Sequence, residues 1–535
     1  MARAAAHADV LRLLIGDGAL GSRADVVIVG GGHNGLVAAL VLARRGLDVL
    51  VLEEKDVLGG ATRTEHPFAK SPNLGVSTGA YLLGLVPPEL LRALDLDLPL
   101  ERRDPYYFLP TTGARYALFG SDEAEVARQF REFFSKADYD AHLALNRELA
   151  MLRDDLGQSW LELPISVEET AVKWVRPELR DVYVKLCRGS IREYLDRFGF
   201  QSPLLVAMYA ATDAFTGVTG GFDTPGTGHN FLAHNMCRLP QAGGTWMIPR
   251  GGMGTFPRLL AEAAMRAGAR IRTNAEVVSI ETDAGIARAV VLANGDRIDA
   301  RAVVVNADPF RLRTLVGDAF PKDLSTKLDG LARDGTSFKL NLCLEGLPRF
   351  TCLPENRGQF GPTIHLLPDE DVVLAELARS QEAAAAGRLP DFPAIEWYIH
   401  TTVDPSLRAG GTHESSAMFV QWVPYALADG TSWDDAAPRF AKHLLEICDR
   451  FAPGTSARVV DMLPLAPPRI ESRFGITRGH IQHVDNTFAC TDRFPHRAGI
   501  DGLYSASAGT HPAGGVSGAA GWIAANAVLA DLDLV

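Results

Sequence analysis

Cysteine is scarce in this sequence, and the pattern of its few cysteines argues against two kinds of site. Six cysteines are spread over 535 residues, and no two have the C-x-x-C spacing. Structural zinc sites and redox-active disulfides commonly use that spacing, so we expect neither a metal site nor a disulfide-exchange centre. Scattered single thiols are typical of a reducing compartment, and we therefore expect the protein in the cytoplasm.

Basic residues are also in the minority. The sequence has 53 lysines and arginines against 65 aspartates and glutamates, which gives a formal net charge of −12. A surface with this balance repels phosphate backbones, so we set nucleic acid aside as a main partner. The expected partner is a small molecule.

Long hydrophobic runs are missing as well. No uninterrupted apolar stretch reaches the roughly 18 residues of a transmembrane helix, so we expect none. Residues 1–23 are rich in alanine, but Asp9 and Asp17 interrupt them and no signal-peptide core is evident. A transit peptide stays an alternative there. The leucine-rich residues 82–100 leave open whether the chain contacts a membrane surface or packs these leucines in its core.

The N-terminal part has the pattern of a βαβ unit. A β-branched apolar run at residues 25–29 predicts a buried strand, an Ala/Leu-rich helix follows at 36–45, and a second strand is expected at 48–52. Between the first strand and the helix lie the glycines of Gly30-x-Gly32-x-x-Gly35. This order is that of a Rossmann-type dinucleotide site, in which glycines admit a pyrophosphate to the helix N-terminus.

An acidic residue follows the second strand at the place where a ribose is bound. Glu53 lies 18 positions after Gly35 and is followed by Glu54. A carboxylate here accepts hydrogen bonds from a free 2′-hydroxyl and disfavours a 2′-phosphate. From the residues alone, the site therefore suits FAD or NAD better than NADP.

Two further segments continue this α/β pattern. Residues 249–308 predict a Gly-rich turn, a helix at about 256–267, a strand near 270, strands with a hairpin turn at 294–296, and a strand at 302–306. Residues 503–506 predict a strand that leads into a Gly loop at 509–518 and a helix to about residue 530. The regions between are more variable, with helices predicted at 122–134 and 139–156, a strand at 415–423, and a surface helix or loop at 380–389.

These motifs resemble those of one group of flavoproteins. Residues 25–64, with the GHNGL turn at 32–36 and the segment GAYLL at 79–83, are similar to the N-terminus of the phytoene-desaturase-like FAD-dependent oxidoreductases. Within them, the sequence most resembles the pyridine nucleotide-disulfide oxidoreductase domain-containing protein 2 group. The C-terminal segments GLY at 502–504 and GTHPAGGVSG at 509–518 agree with this. The resemblance covers about half of the chain.

The resemblance implies a fold and a cofactor. We expect an α/β protein with a Rossmann-type FAD-binding domain, like that of glutathione reductase and the amine oxidases, and an inserted α+β substrate domain. Non-covalent FAD is the expected cofactor, with the C-terminal Gly loop at its flavin end. Ala513 departs from relatives that have glycine there. The predicted cofactor-binding residues are Gly30, Gly32, Asn34, Gly35, Glu53, Glu54, Gly60, Ala61, Thr62, Val277, Ala307, Gly509, Gly514, Gly515, Val516 and Ser517.

The predicted division of the chain follows from these assignments. An N-terminal extension takes residues 1–24, and the FAD-binding parts take 25–85, 246–310 and 471–535. A helical substrate region is expected at 86–245 and a substrate domain at 311–470.

Two residues are candidates for catalysis. His511 lies in the C-terminal Gly loop, where an imidazole would act as acid or base, although a structural role is an equal alternative. Arg250 would meet a substrate carboxylate, with a surface ion pair as its alternative. Aromatic residues at 246, 397, 398 and 422 either line a substrate cavity or pack in the core.

Only the resemblance to known flavoproteins limits the choice of reaction. The leading hypothesis is dehydrogenation, saturation or isomerisation of C–C double bonds in a small apolar, isoprenoid or polyene-like substrate related to carotenoids or retinoids, with the flavin carrying the hydride. The alternatives are C–N oxidation by a flavin amine oxidase and a flavoprotein that mainly binds a partner. An apolar tunnel to the flavin would favour the polyene, and a small aromatic cage with an acidic residue would favour the amine.

Overall fold

The computed structural model describes residues 21–534. The prediction of an N-terminal extension, including the alternative of a transit peptide, therefore falls almost wholly outside the described residues, and the predicted domain boundaries stay a prediction. The strands are β1 (Arg23–Val29), β2 (Val49–Leu52), β3 (Thr64–Glu65), β4 (Val76–Ser77), β5 (Leu100–Glu101), β6 (Tyr107–Pro110), β7 (Tyr116–Phe119), β8 (Ile248–Pro249), β9 (Arg270–Arg272), β10 (Val277–Asp283), β11 (Ile286–Leu292), β12 (Arg297–Val305), β13 (Ser337–Leu344), β14 (Thr363–Leu366), β15 (Ala394–Ile399), β16 (Glu414–Gln421), β17 (Val459–Leu465) and β18 (Leu503–Ser505).

Helices join and cover these strands. They are α1 (His33–Arg44), α2 (Pro88–Ala93), α3 (Glu123–Phe133), α4 (Lys136–Leu156), α5 (Val167–Trp174), α6 (Arg180–Arg188), α7 (Ile191–Asp196), α8 (Pro203–Tyr209), α9 (Thr227–His234), α10 (Thr255–Arg266), α11 (Pro309–Val316), α12 (Lys322–Leu331), α13 (Val373–Ala385), α14 (Trp433–Phe451), α15 (Pro467–Phe474) and α16 (Ala519–Asp531).

The first sheet contains the predicted βαβ unit. Its strand order is β10-β11-β12-β1-β2-β9, and β18 pairs with β12. Strand β1 pairs in parallel with both β12 and β2. Side chains of β1 alternate between two apolar cores, with Val26 and Ile28 among α1, α10 and α16, and Val27 and Val29 on the opposite face. Burial on both faces explains why this strand is a continuous β-branched run.

The second sheet is larger than the sequence indicated. Its order is β17-β13-β16-β15-β14-β6-β7, and only β16 among these strands was predicted. Helix α14 covers one face, where Phe440 and Leu444 pack with Phe338 and Leu340 of β13. The other face carries Lys339 and Asn341, which contact the Tyr81 ring and the Thr78 carbonyl in the segment after β4. This sheet therefore has a core face and a face available for a site.

Helices α3 to α9 form a third layer with its own apolar core. The predicted helices at 122–134 and 139–156 correspond to α3 and α4. Helix α4 begins three residues earlier than predicted because Ser135 caps it. The Oγ of Ser135 accepts from the Asp138 N–H at 3.0 Å, and the Asp138 carboxylate accepts from the Ser135 N–H at 3.2 Å.

No helix between residues 21 and 534 is both long and apolar enough to span a bilayer. In the leucine-rich residues 82–100, Leu83, Leu85, Leu90 and Leu94 are at most 2% exposed. These leucines pack in the core, which is one of the two interpretations of that stretch.

Candidate active site

A cavity of about 520 Å³ extends from the carboxyl ends of β1 and β2 to the polar face of the second sheet. We call its first part the nucleotide end. We call its second part the inner chamber, which is lined by Tyr81, Thr212, Asp213, Thr216, His234, Trp246, Lys339, Glu396, Tyr398 and Phe419. Ligands of open α/β sheets bind outside the carboxyl ends of the strands, and the nucleotide end lies there.

Glycine is required in the turn between β1 and α1. Gly30 has φ of +101°, which strains other residues. A Cβ on Gly35 would lie 2.4 Å from the carbonyl oxygen of Gly30, and a Cβ on Gly32 would lie 2.7 Å from Nδ2 of Asn306. The turn therefore packs tightly against the sheet and leaves its outer side to a ligand.

The N-terminus of α1 is open for a phosphate. Its N-cap residue is Gly32, and no side chain caps the first turn, so the first amides lack the partner that a side chain usually supplies. Two polar atoms beside it, Oδ1 of Asn34 and Nε2 of His33, are buried without a hydrogen-bond partner. Burial lowers the pKa of His33 to about 4, so its imidazole is neutral. This cradle fits the pyrophosphate of FAD.

Glu53 is held at the predicted ribose position. Its Oε2 accepts from the Gly31 N–H at 2.7 Å and its Oε1 from the Lys55 N–H at 2.9 Å. Burial raises the pKa of Glu53, and these two backbone N–H groups oppose that rise. Its carboxylate lines the cavity with lone pairs left for hydroxyl groups.

Glu53→Gln is expected to weaken FAD binding by about 10- to 100-fold, because one of the two backbone N–H groups would face an amide NH₂ and the ribose would lose an acceptor. Titration of the apoprotein with FAD, followed by flavin fluorescence, measures the change. Glu262→Gln, at a carboxylate that pairs with Arg258, is the matched control. Equal FAD affinity in both variants would remove Glu53 from the cofactor site.

The predicted cofactor residues fall into two sets. The cavity is lined by Gly30, Gly32, Asn34, Glu53, Glu54, Gly60, Ala61, Thr62, Val277, Ala307, Gly514, Gly515 and Val516. Gly35, Gly509 and Ser517 support the loops without lining it, and Ala513 is buried outside the lining.

An arginine that the sequence did not reveal holds the C-terminal Gly loop. Arg493 is 1% exposed, and it pairs with uncharged oxygen atoms instead of a carboxylate. Its N–H groups donate to the carbonyl oxygens of Val484, Asp485, Phe488, Ala508 and Thr510 and to Oδ1 of Asn486, at 2.8–3.2 Å.

Asn486 connects Arg493 to the C-terminal Gly loop. Its Oδ1 accepts from the Gly514 N–H at 2.7 Å, and its Nδ2 donates to the Gly514 carbonyl at 3.2 Å. Arg493 and Asn486 thus fix the backbone beside Gly514 and Gly515, where the cavity passes.

Neither predicted catalytic residue reaches the cavity. Arg250 is 65% exposed at its side chain and pairs with Glu101 at 2.6 Å, so the alternative of a surface ion pair describes it. His511 is turned to the other side of its loop, where its Nε2 lies 3.0 Å from the Ser159 carbonyl. There it borders a separate small pocket of about 20 Å³. Local sequence placed His511 near the cofactor loop but could not show which side its ring faces.

The inner chamber has one wall built from side chains in register across the second sheet. Lys339 of β13 pairs with Phe419 of β16, Phe419 with Glu396 of β15, and Glu396 with His365 of β14. Because residues directly paired on neighbouring strands point to the same face, these four side chains lie together on the polar face of the sheet. Two buried charged residues are thereby brought to one wall.

Another part of the chamber wall comes from an irregular turn after α8. Residues Ala210–Ala214 form a π-helical segment, which carries Thr212 and Asp213. Such segments are rare and frequently occur at functional sites. The buried side chain of Asn230 donates to the carbonyls of Asp213 and Ala214 at 3.1 and 3.0 Å. Asn230 thereby satisfies backbone groups that the irregular turn leaves without helical partners.

Glu396 and Asp213 are the acids of the chamber. The Tyr398 hydroxyl donates to Oε2 of Glu396, and Thr216 donates to its Oε1 at 3.0 Å. Burial and the charge of Glu396 raise the pKa of Asp213 to about 7. Burial likewise raises the pKa of Glu396 to about 7. Two acids that change protonation near neutral pH can accept a proton from a substrate.

Lys339 is the cation of the chamber. Its Nζ lies 4.3 Å from the ring centre of Tyr81 and 4.4 Å from that of Phe419. Burial lowers its pKa to about 7, and Glu396 opposes this shift. The chamber is therefore polar, with aromatic rings around a lysine and two acids beside it.

Comparison with known proteins places these features in context. The family model described as flavin containing amine oxidoreductase matches residues 35–365. The chain is 31% identical to pyridine nucleotide-disulfide oxidoreductase domain-containing protein 2 of Rattus norvegicus, over 96% of this chain and 95% of that protein. It is 24% identical to the lycopene-forming phytoene desaturase of a Paracoccus species, over 95% of this chain and 97% of that protein.

A solved structure with the same fold is putrescine oxidase bound to putrescine. Its TM-score to this chain is 0.61 at 16% identity, over 96% of this chain and 99% of that chain. Identity at this level shows a shared fold and nothing about the substrate.

Proposed function

Because this chain belongs to the flavin-containing amine oxidoreductase family, we propose that it oxidises the C–N bond of a small amine in the inner chamber. Family membership confirms the predicted resemblance, the α/β fold with a Rossmann-type FAD-binding part, and FAD as the cofactor. The chain is thus an FAD-dependent oxidoreductase, and the choice of substrate is the proposal.

One observation carries the proposal, namely that Glu396 and Asp213 line the chamber beside aromatic rings. A buried carboxylate and nearby rings attract a protonated amine, through charge and through the ring faces. A hydrocarbon gains nothing from buried acids, which stay unsolvated beside it.

The bound flavin supplies the two-electron acceptor for the hydride of the carbon next to nitrogen. Only a neutral amine has the lone pair that assists loss of this hydride. The Glu396 carboxylate takes the ammonium proton at Oε1 or Oε2, while Tyr398 and Thr216 hold it in place. The product is a protonated imine, which water converts to a carbonyl compound and a protonated amine or ammonium.

The pH dependence should report this base. With saturating amine, the rate of flavin reduction should fall as the pH drops below about 7, since Glu396 then becomes protonated. The charge of Glu396 raises the pKa of Asp213. Because two like charges act on each other reciprocally, Asp213→Asn should move this fall to lower pH. Stopped-flow reduction at 450 nm from about pH 5 to pH 9 measures both profiles. If the unaltered protein and Asp213→Asn had identical pH profiles, the proposed effect of Asp213 on Glu396 would be refuted.

Similarity to relatives with known names favours a second candidate, which is oxidation of C–C bonds. Phytoene desaturases from Neurospora crassa and Paracoccus are 25% and 24% identical over more than nine-tenths of this chain. An isoprenoid, polyene-like or carotenoid-related substrate would have to fit into the inner chamber. If the chain oxidises C–C bonds, Glu396 and Asp213 have a structural role.

Anaerobic reduction of the purified holoprotein separates the two candidates. Primary and secondary amines are compared with terpenoid alkenes, and loss of flavin absorbance near about 450 nm is recorded for each. Bleaching by amines, with release of a carbonyl product, supports C–N oxidation. Bleaching by alkenes alone refutes it and supports the second candidate.

A further inference from the structure

Three buried amide side chains connect the π-helical wall of the inner chamber to the C-terminal Gly loop. They belong to Asn230, Gln482 and Asn486, which are at most 3% exposed. Each nitrogen and oxygen atom of these amides has a hydrogen-bond partner. Because a buried amide without partners is costly, these contacts specify a single arrangement of the three side chains.

Asn230 and Gln482 hold the backbone of the chamber wall at the same point. Besides its two bonds to the π-helical segment, Nδ2 of Asn230 donates to the Thr216 carbonyl at 3.1 Å. Nε2 of Gln482 donates to the same carbonyl at 2.7 Å. The Thr216 hydroxyl in turn donates to Glu396 at 3.0 Å. The place of the Thr216 backbone therefore affects the place of one acid of the chamber.

The same amides bind one another and the Gly loop. Oδ1 of Asn230 accepts from Nε2 of Gln482 at 3.2 Å and from Nδ2 of Asn486 at 3.1 Å. Oε1 of Gln482 accepts from the Asn486 N–H at 2.9 Å. The Asn486 side chain then binds both backbone polar groups of Gly514, as described above. Hydrogen bonds thus connect Glu396, through one threonine and three amides, to the Gly loop.

Two glycines allow the backbone to approach Gln482 closely. A Cβ on Gly514 would lie 2.6 Å from both Cα and the carbonyl oxygen of Gln482, and a Cβ on Gly217 would lie 2.9 Å from its Nε2. Gly217 directly follows Thr216 of the chamber wall, and Gly514 lines the cavity. Both the wall and the Gly loop therefore pack against Gln482, so a shift of the loop displaces Gln482 and, with it, the wall.

We propose that Asn230, Gln482 and Asn486 are positioning residues, which hold the acids of the inner chamber at a fixed place relative to the Gly loop and the flavin expected there. The proposal rests on the proposed use of the inner chamber as the substrate site, and it applies to an amine and to an alkene alike. Reacting atoms have to lie about 3–3.5 Å apart, and a misplacement of about 1 Å can lower a rate by about 100-fold.

Gln482→Met removes the central amide and keeps an unbranched side chain. With whichever substrate reduces the unaltered holoprotein, we expect the rate of flavin reduction at saturation to fall by about 10- to 100-fold. FAD affinity should change by less than about threefold, because Asn486 still holds Gly514. The visible circular dichroism of the bound flavin should also change in the absence of substrate, since it reports the surroundings of the flavin ring.

Gln359→Met is the matched control. Gln359 is likewise buried, its Nε2 donates to the carbonyls of Leu353 and Glu355, and its Oε1 accepts from the Arg357 N–H. These residues are not part of the cavity lining. Both substitutions remove the same kinds of hydrogen bond, so both should lower the midpoint of urea unfolding. Only Gln482→Met should lower the reduction rate and alter the dichroism of the flavin.

Asn230→Ala tests whether the amides act together. It removes the second donor to the Thr216 carbonyl, so we expect a fall in the reduction rate of similar size. In the double variant with Gln482→Met, the total loss should be clearly smaller than the product of the two single losses, because both residues act through one contact. Single losses that multiply would show separate effects and would refute the shared positioning role.

Failure of this proposal is distinguishable from failure of the proposed function. If Gln482→Met and Gln359→Met are reduced at equal rates, the positioning role is refuted and amine oxidation stands. If neither amines nor alkenes reduce the unaltered protein, the proposed function is refuted, and identical flavin dichroism in the two variants would refute the positioning role as well. Should neither Gln482→Met nor Asn230→Ala fold, hydrogen exchange of the unaltered protein decides. FAD should slow the exchange of the backbone amides at 210–217, and unchanged exchange there would refute the connection.

Discussion

Replacing Glu396 by glutamine is expected to lower the rate of amine-driven flavin reduction by about 100- to 10,000-fold, which is the usual contribution of a general base. Glutamine keeps an oxygen that accepts from Tyr398 or Thr216, so the chamber should retain its shape. It cannot take a proton from the substrate ammonium. The loss should therefore appear in the reduction rate more than in substrate affinity.

The same variant should also lose the fall in rate below about pH 7, because its titrating group is gone. Glu382→Gln, at an exposed position of α13, provides a control that changes charge equally. Rapid-mixing measurements with matched flavin content give the comparison. A reduction rate within about threefold of the unaltered protein would assign Glu396 a structural role.

Arg493→Met should lower FAD affinity by about 100-fold. The substitution removes a donor from six oxygen acceptors beside the loop, and the carbonyls of Val484, Phe488, Ala508 and Thr510 have no other donor among the described residues. Even two unsatisfied acceptors cost about 1–3 kcal/mol each, which is enough to displace the Gly514 backbone. Arg493→Lys should be intermediate, because lysine keeps the charge but has three donors in place of five.

Two measurements check this expectation. Flavin titration gives the affinity, and urea unfolding of the apoprotein shows whether the fold itself is weakened. Arg266→Met, at the exposed end of α10, is the control. Unchanged FAD affinity in Arg493→Met would mean that Asn486 holds the loop without help.

The nucleotide end could be predicted because its signals are local. Gly30, Gly32 and Gly35 occur between a strand and a helix, and Glu53 follows at a fixed distance, so short-range order in the chain specifies the geometry. The sequence predicts the bounds of β1 and α1, which flank this turn, to within three residues. The inner chamber could not be predicted in this way, since its walls come from several separate segments spread between residues 81 and 419.

The sequence does contain a weaker indication of the inner chamber. Lys339 lies within the apolar strand SFKLNLCL and Glu396 within AIEWYI. A charged residue at the centre of such a strand is costly in a core, and period-two alternation would have placed both on one face. Lys339 and Glu396 come to the same wall because β13, β16 and β15 pair in that order. No local sequence pattern specifies this strand order. Arg250 and His511 show the converse, since closeness in sequence to a Gly loop did not bring either side chain into the cavity.

The alternation of the second sheet divides its residues into two classes for laboratory evolution. Positions 339, 363, 396, 398 and 419 line the cavity, whereas their immediate neighbours Phe338, Ile364, Trp397, Met418 and Val420 pack in the apolar core. A combinatorial library restricted to the first set should change which molecules are turned over while most of its members still fold. A library of equal size on the second set should consist mainly of misfolded protein.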